Sequence, residues 1–295
     1  MRTILYADVF DFAMTPAEIH HYLIHDQPVT REQVAAALTA SPDLRQYLTQ
    51  RDGYVAQTDR ASLIALRQER EALAASQWAR AVAWSRWLAR LPFVRMVALT
   101  GALAMRNPSA PDDDIDYLVV THEGRVWLAR GLAILIVRIG KLRGVTLCPN
   151  YVLAENALAQ SRRDLYIAHE VAQAHPFYGH GIYAALRDAN RWMSAYLPNA
   201  GRPLHAGDAH APRDGWMRLK RAGEWALGGW LGDRLERWER GRKMRRFQKV
   251  IRPDSAAKLD PSQVKGHFED HGARILRHYR ERLQRFGLLD SAAAD

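Results

Sequence analysis

Two aspartates one residue apart, Asp114-Ile115-Asp116, open the apolar run Tyr117-Leu118-Val119-Val120. Residues i and i+2 of a strand project to the same face, so this spacing sets two carboxylates side by side. Two such anions repel unless a cation lies between them. Mg²⁺, or Mn²⁺ in its place, takes hard oxygen ligands, usually one or two carboxylates together with substrate phosphates and water. Without a cation, Asp116 would lie buried beside apolar neighbours at high cost. Upstream, Val97-Ala98-Leu99 runs into Thr100-Gly101-Ala102. A strand that turns into a helix at a glycine presents backbone N–H groups to a phosphate. Together the two stretches point to phosphate chemistry with a divalent cation.

Stepping outward, residues 93–121 read as strand, Gly turn, short helix, acidic loop and strand. Asp112 and Asp113 read as turn residues of the loop. A helix is expected from Arg125 to Leu142, ended by Gly144, and then a strand over 145–153. Pro149 inside that strand marks an edge or a bulge. Residues 1–58 read as a helical module closed by a hairpin. Thr15-Pro16-Ala17-Glu18 and Thr30-Arg31-Glu32-Gln33 are capping boxes, and Asp52-Gly53 is a hairpin turn. Helix, helix, helix and β-wing is the order of a winged helix. Its second capped helix offers Arg31, Gln33 and Thr39 as polar readers.

This arrangement resembles the polymerase-beta-like nucleotidyltransferase superfamily, whose pattern is an apolar strand, a Gly turn, roughly a dozen residues and Asp-x-Asp on the next strand. Residues 97–102 and 114–116 carry the resemblance, which covers about a fifth of the chain. It implies an α+β fold: a small mixed sheet flanked by helices, preceded here by the winged-helix-like module and followed by a helical C-terminal region. It also implies that Asp114 and Asp116 are catalytic and bind Mg²⁺ or Mn²⁺, and that Thr100, Gly101 and Ala102 bind the nucleotide. The chain departs from the family twice. Ala102 replaces a serine, and the strand position of a third carboxylate holds Asn150, an amide that can ligate a metal but cannot act as a base. Glu155, just past that strand, is the alternative carboxylate.

The 295 residues allow several small domains. The expected divisions are the module at 1–58, a connecting helix at 59–91, the nucleotidyltransferase core at 92–156, a helical bundle at 157–200 and a basic helical region at 215–295. Arg67, Arg70, Arg80, Arg86 and Arg90 of the connecting helix face phosphate or solvent. Within the bundle Tyr166, His169, Tyr178 and Asn190 are either nucleotide-pocket residues or packing. The linker 201–214 is rich in Gly, Pro, Ala and His. One long helix is expected at 215–253, packing through Trp216, Leu219, Trp225, Leu231 and Leu235, and another at 264–286. His267 and His271 of the latter share a helix face without a third ligand.

The net charge is +10, and residues 202–295 hold 21 Lys/Arg against 13 Asp/Glu. Such a segment suits a polyanionic partner such as RNA, DNA or a membrane surface, or is a solvated face. The single cysteine, Cys148, excludes an internal disulfide framework and any zinc cluster built on several cysteines. No secretory h-region and no apolar run of spanning length is evident, so a cytoplasmic protein without a membrane partner is expected. Three functions stand: an Mg²⁺-dependent enzyme moving an NMP from an NTP to an acceptor hydroxyl on RNA, protein or a small molecule; a degenerate member that only binds nucleotide or nucleic acid; and a winged-helix DNA-binding regulator.

Overall fold

The computed structural model describes residues 1–205, 215–247, 258–265 and 270–289. Four helices come first: α1 (Arg2–Asp8), α2 (Pro16–His21), α3 (Arg31–Ala40) and α4 (Pro42–Tyr47). The hairpin of β1 (Leu48–Arg51) and β2 (Tyr54–Gln57) turns at Asp52 and Gly53, both with positive φ. Both capping boxes form, Thr15 with Glu18 and Thr30 with Gln33. Met14 adds an antiparallel bridge to Val55. α1 has no counterpart in the sequence reading. Residues 3 to 8 of it are all buried, so it lacks the one-sided periodicity of a surface helix. Its apolar residues join those of α2, α3 and two later helices in one cluster. This module therefore shares its core with the rest of the chain.

The long helix α5 (Leu63–Ala89) begins after a 3₁₀ turn at Thr58–Arg60, a few residues later than an Asp59 cap implies. Then come β3 (Val94–Leu99), α6 (Gly101–Ala104), β4 (Ile115–Thr121), α7 (Val126–Leu142) and β5 (Leu147–Ala154). After them run α8 (Leu165–Gln173), β6 (His175–Tyr178), α9 (His180–Ala189), α10 (Trp216–Leu227), α11 (Trp230–Phe247), β7 (Lys258–Leu259), β8 (Gln263–Lys265) and α12 (His271–Arg285). The sheet order is β6-β3-β4-β5-β8-β7, with β4 and β5 parallel and the other pairs antiparallel. Alternation sorts the faces. Val97, Leu99, Tyr117, Val119 and Val152 belong to the core with α5 and α7, whereas Met96, Ala98, Leu118, Val120 and Leu153 pack with Tyr183 and Leu186 of α9.

The fold is thus α+β, a small mixed sheet flanked by helices. Three expectations change in detail. The region 157–200 is not wholly helical: β6 forms the sheet edge there, the place where its Pro176 costs no ladder bond. The helix expected over 215–253 is two helices, parted at Gly228 and Gly229, where helix propensity is poorest. The helix expected from 264 starts at His271, and Gln263–Lys265 instead pairs with β5. β5 is therefore no edge, and Pro149 sits at its register shift. His267 and part of the 201–214 linker lie outside the described residues. Among the described residues no helix is long and apolar enough to cross a membrane.

Candidate active site

The turn after β3 is tied to β4 by one backbone bond, Thr100 N–H to the Asp116 carbonyl, 3.0 Å. Gly101 then takes φ +68°, and a Cβ there would collide with Oδ2 of Asp116. Glycine is required twice over, for the left-handed backbone and for the carboxylate lying against it. Gly101→Ala is expected to cost about 2 kcal/mol or more, the left-handed penalty plus displacement of the carboxylate. Gly53→Ala is the control, because Gly53 has φ +82° with nothing within 4 Å of a Cβ. Thermal melts of the two variants separate contact from strain: equal losses would show that Asp116 does not press on the turn.

Asp116 points to the sheet face that carries Leu118, and both line a cavity of about 730 Å³. Its carboxyl is pushed up to about 7, first by burial, then by the charges of Glu170, Asp114 and Asp113, against a hydrogen bond from the Cys148 thiol that lowers it. The same neighbourhood pushes the thiol up to about 12, mainly by burial. Asp114 lies one residue before β4 and is exposed. It acts on Asp116 through its charge and is not part of the cavity wall. Asp113 is a loop residue, as expected: its Oδ2 accepts from Ser109 Oγ at 2.9 Å and Ala110 N–H at 3.1 Å.

Thr100, Gly101, Ala102 and Asn150 line the same cavity. β4 and β5 slip in register between Asp116–Cys148 and Leu118–Tyr151, so two residues of β5 fill the space opposite one of β4. The bulge turns both Asn150 and its neighbour Tyr151 into the cavity. Asn150 Oδ1 is buried there without a hydrogen-bond partner among the described residues. A buried acceptor left unpaired costs about 1–3 kcal/mol, which a cation or donor from a ligand would recover. Glu155 does not substitute for it. Its N–H bonds the Thr121 carbonyl, at the other end of β4 from Asp116.

Several wall residues escape sequence reasoning. Glu170 of α8 faces the cavity with its carboxyl raised by burial, hydrogen-bonded to Tyr166 and eased by the charge of Lys265. Arg162 joins Asp164 and Asp270, donating to both oxygens of Asp270 at 2.7 and 2.9 Å. Arg70 donates to Asn107 Oδ1 at 3.0 Å and Lys265 comes from β8, so three cations line the wall. Their signal was hidden by distance along the chain: only the packing of α5, α8 and β8 around β4 and β5 gathers them. Among the expected pocket residues, Tyr166 and His169 line the cavity. His169 stacks on Tyr6 with ring centroids 4.0 Å apart, and burial lowers it to about 4, so it is neutral at pH 7. Asn190 is a packing residue, donating to the Leu158 and Leu186 carbonyls, and Tyr178 belongs to β6 outside the cavity.

Of the suggested phosphate-facing arginines of α5, Arg67 is instead buried against Glu18 and Glu71. On α3, Gln33 is consumed by its capping box and the Thr39 hydroxyl by the Ala35 carbonyl, which leaves Arg31 alone of the three readers. Among the described residues no three His, Cys, Asp or Glu side chains gather tightly enough to hold a metal by themselves. The donors at hand, the half-buried Asp116 carboxylate and an unpaired amide oxygen, are hard oxygens of the kind Mg²⁺ accepts when phosphates and water complete its shell. No family model matches the chain, and comparison with curated proteins and with solved structures found no similar one.

Proposed function

We propose that the protein is an Mg²⁺- or Mn²⁺-dependent nucleotidyltransferase that moves an NMP from an NTP to an acceptor hydroxyl. One observation carries the reading. The Gly101 turn is pressed onto a half-buried Asp116 carboxylate in the same cavity as an unpaired Asn150 oxygen.

Asp116 and Asn150, with the exposed Asp114 adding negative charge just outside the cavity, are the residues to hold the cation. When bound it neutralises phosphate charge and stabilises the in-line displacement. The backbone at Thr100, Gly101 and Ala102 lines the phosphates, and Arg70, Arg162 and Lys265 add positive charge around them. The stacked Tyr6 and neutral His169 form an uncharged wall for the organic part of a substrate. Glu170, whose raised carboxyl suits a base, takes the proton of the acceptor hydroxyl as that oxygen bonds to the α-phosphorus. The bond from the α-phosphorus to the bridging oxygen breaks, and pyrophosphate leaves with the electron pair.

The test is transfer of label from α-labelled NTPs, with Mg²⁺ or Mn²⁺, onto RNA, protein and small molecules of a cell extract. Label that appears with the wild type and not with Asp116→Asn supports the reading, and the labelled species names the acceptor. Ala102 and the absence of a third carboxylate on β5 favour a second reading, a nucleotide-binding protein without turnover. Nucleotide binding that depends on Asp116, with no transfer from any NTP, would establish it. The DNA-binding reading loses support from the local engagement of Gln33 and Thr39.

A further inference from the structure

The helices α10 and α11 meet the core through a few apolar residues, Leu227, Leu235 and Met244, and through an unusual share of polar ones. Three of their four carboxylates turn toward the body of the protein, and the fourth, Asp233, is half-exposed. Glu224 accepts from Phe93 N–H at 2.8 Å and from Arg95 at 2.7 Å. Glu236 caps α7 by accepting from Trp127 and Leu128 N–H at 2.9 and 2.7 Å. Asp233 pairs with Arg125 at 2.7 Å, and Glu239 is buried beside Arg242. Lys220, also buried, donates to the Ala89 and Val94 carbonyls.

The outward face takes what is left. Trp225 is 87% exposed, Trp230 75%, and Leu219 and Trp238 59% each. Eight arginines surround them, at 218, 221, 234, 237, 240, 242, 245 and 246, all exposed. At the corner between the helices the run Trp225-Ala226-Leu227-Gly228-Gly229-Trp230-Leu231 carries no charge. Arg125 anchors this corner from behind, donating to the Leu227 and Gly228 carbonyls at 3.2 and 2.7 Å. Its backbone polarity is thereby met on the inner side, where Leu227 also packs, while Trp225, Trp230 and Leu231 face out.

We propose that the α10–α11 corner is a docking surface for an anionic lipid bilayer. Tryptophans ringed by arginine are what the headgroup boundary takes: indoles and leucines enter the acyl edge while guanidinium groups meet lipid phosphates. Exposed Leu219 and Leu231 favour a bilayer over a nucleic acid, which gives aliphatic side chains nothing to bury in. Glu224, Glu236 and Glu239 are turned inward and the half-exposed Asp233 is paired with Arg125, which lessens the repulsion an anionic surface would otherwise exert. A corner that lies on a membrane needs no apolar run of spanning length, the feature on which the expectation of no membrane partner was based.

The test is co-sedimentation of the full chain with phosphatidylcholine vesicles, alone or with about 30% phosphatidylglycerol, across salt concentrations. Binding to the anionic vesicles and not the neutral ones is expected, weakening as salt rises. Trp225→Ser/Trp230→Ser should lower that binding by at least about tenfold with an unchanged melting temperature. Arg234→Gln/Arg237→Gln should lower it and flatten its salt dependence. Failure to bind anionic vesicles overturns the proposal, as does full binding by the tryptophan variant. Tryptophan-dependent binding of single-stranded RNA by a protein that ignores vesicles would assign the surface to nucleic acid instead.

Discussion

Asp116→Asn is expected to abolish label transfer and, without metal, to make the protein more stable at pH 8. The loss of turnover should be about 10³-fold or more, equivalent to roughly 4 kcal/mol of transition-state stabilisation. The gain in stability follows from the raised carboxyl, at about 7 in the fold. An aspartate in the unfolded chain ionises near 4. Folding therefore favours the protonated form. The contribution is fully present below about pH 4, falls as pH rises, and is gone above the folded value near 7. Asn escapes that loss, so wild type and variant should melt alike at pH 4 and diverge by up to about 4 kcal/mol at pH 8. Mg²⁺ should raise the wild-type melting temperature more at pH 8 than at pH 5, and leave the variant unmoved. Parallel melting profiles with and without Mg²⁺ for both proteins would remove the metal from this site.

Arg67→Ala should be the most destabilising single change outside the site, at about 3–5 kcal/mol. Arg67 is 1% exposed. Its guanidinium bonds Glu18 at 3.0 Å and Glu71, and lies 4.1 Å from the centre of the Phe12 ring. Truncation leaves Glu18 buried and unpaired while Glu18 is still needed to cap α2. Since Phe12 and Met14 line the cavity, the damage should reach the site. Thermal melting with limited proteolysis measures it: a lower midpoint and early cleavage within residues 1–58 are expected. Arg67→Met should recover less than half the loss, because it restores packing and not the ion pair.

The parts of the site that were legible in the sequence are those made by one short stretch. β3, the Gly101 turn and β4 declare themselves through apolar periodicity and the spacing of Asp114 and Asp116, and Asn150 through the next strand. Glu170, Arg162 and Lys265 were not legible, because each is one charged residue on an ordinary helix, loop or strand until the fold gathers them. α1 was hidden because burial on all sides erases helical periodicity. β8 was hidden by its three-residue length. The C-terminal helices misled for a different reason. Of the expected packing residues Leu235 does pack against the core, with Leu227 and Met244, whereas Trp216, Leu219, Trp225 and Leu231 are exposed, and Lys220, Glu224 and Glu236 add polar contacts with the core. The rule that apolar residues face inward holds on average, and here hydrogen bonding to helix ends and loop backbone shares the inner face with Leu227, Leu235 and Met244.

Asp8 is clamped between Arg60 and Arg282, and Arg2 donates to the Leu288 carbonyl. One wall of the cavity is thus joined across 274 residues of chain. On the ribosome, Asp116 is made long before the last residues of the cavity wall, which come from β8 and α12. At about 5–20 residues per second, on the order of ten seconds or more separate the synthesis of Asp116 from that of Arg282. Besides burial, the groups that set the proton affinity of Asp116 are Cys148, Glu170, Asp114 and Asp113, all made before α12, so a polypeptide stopped short of α12 would carry them and lack the wall that His271 and Gly272 supply.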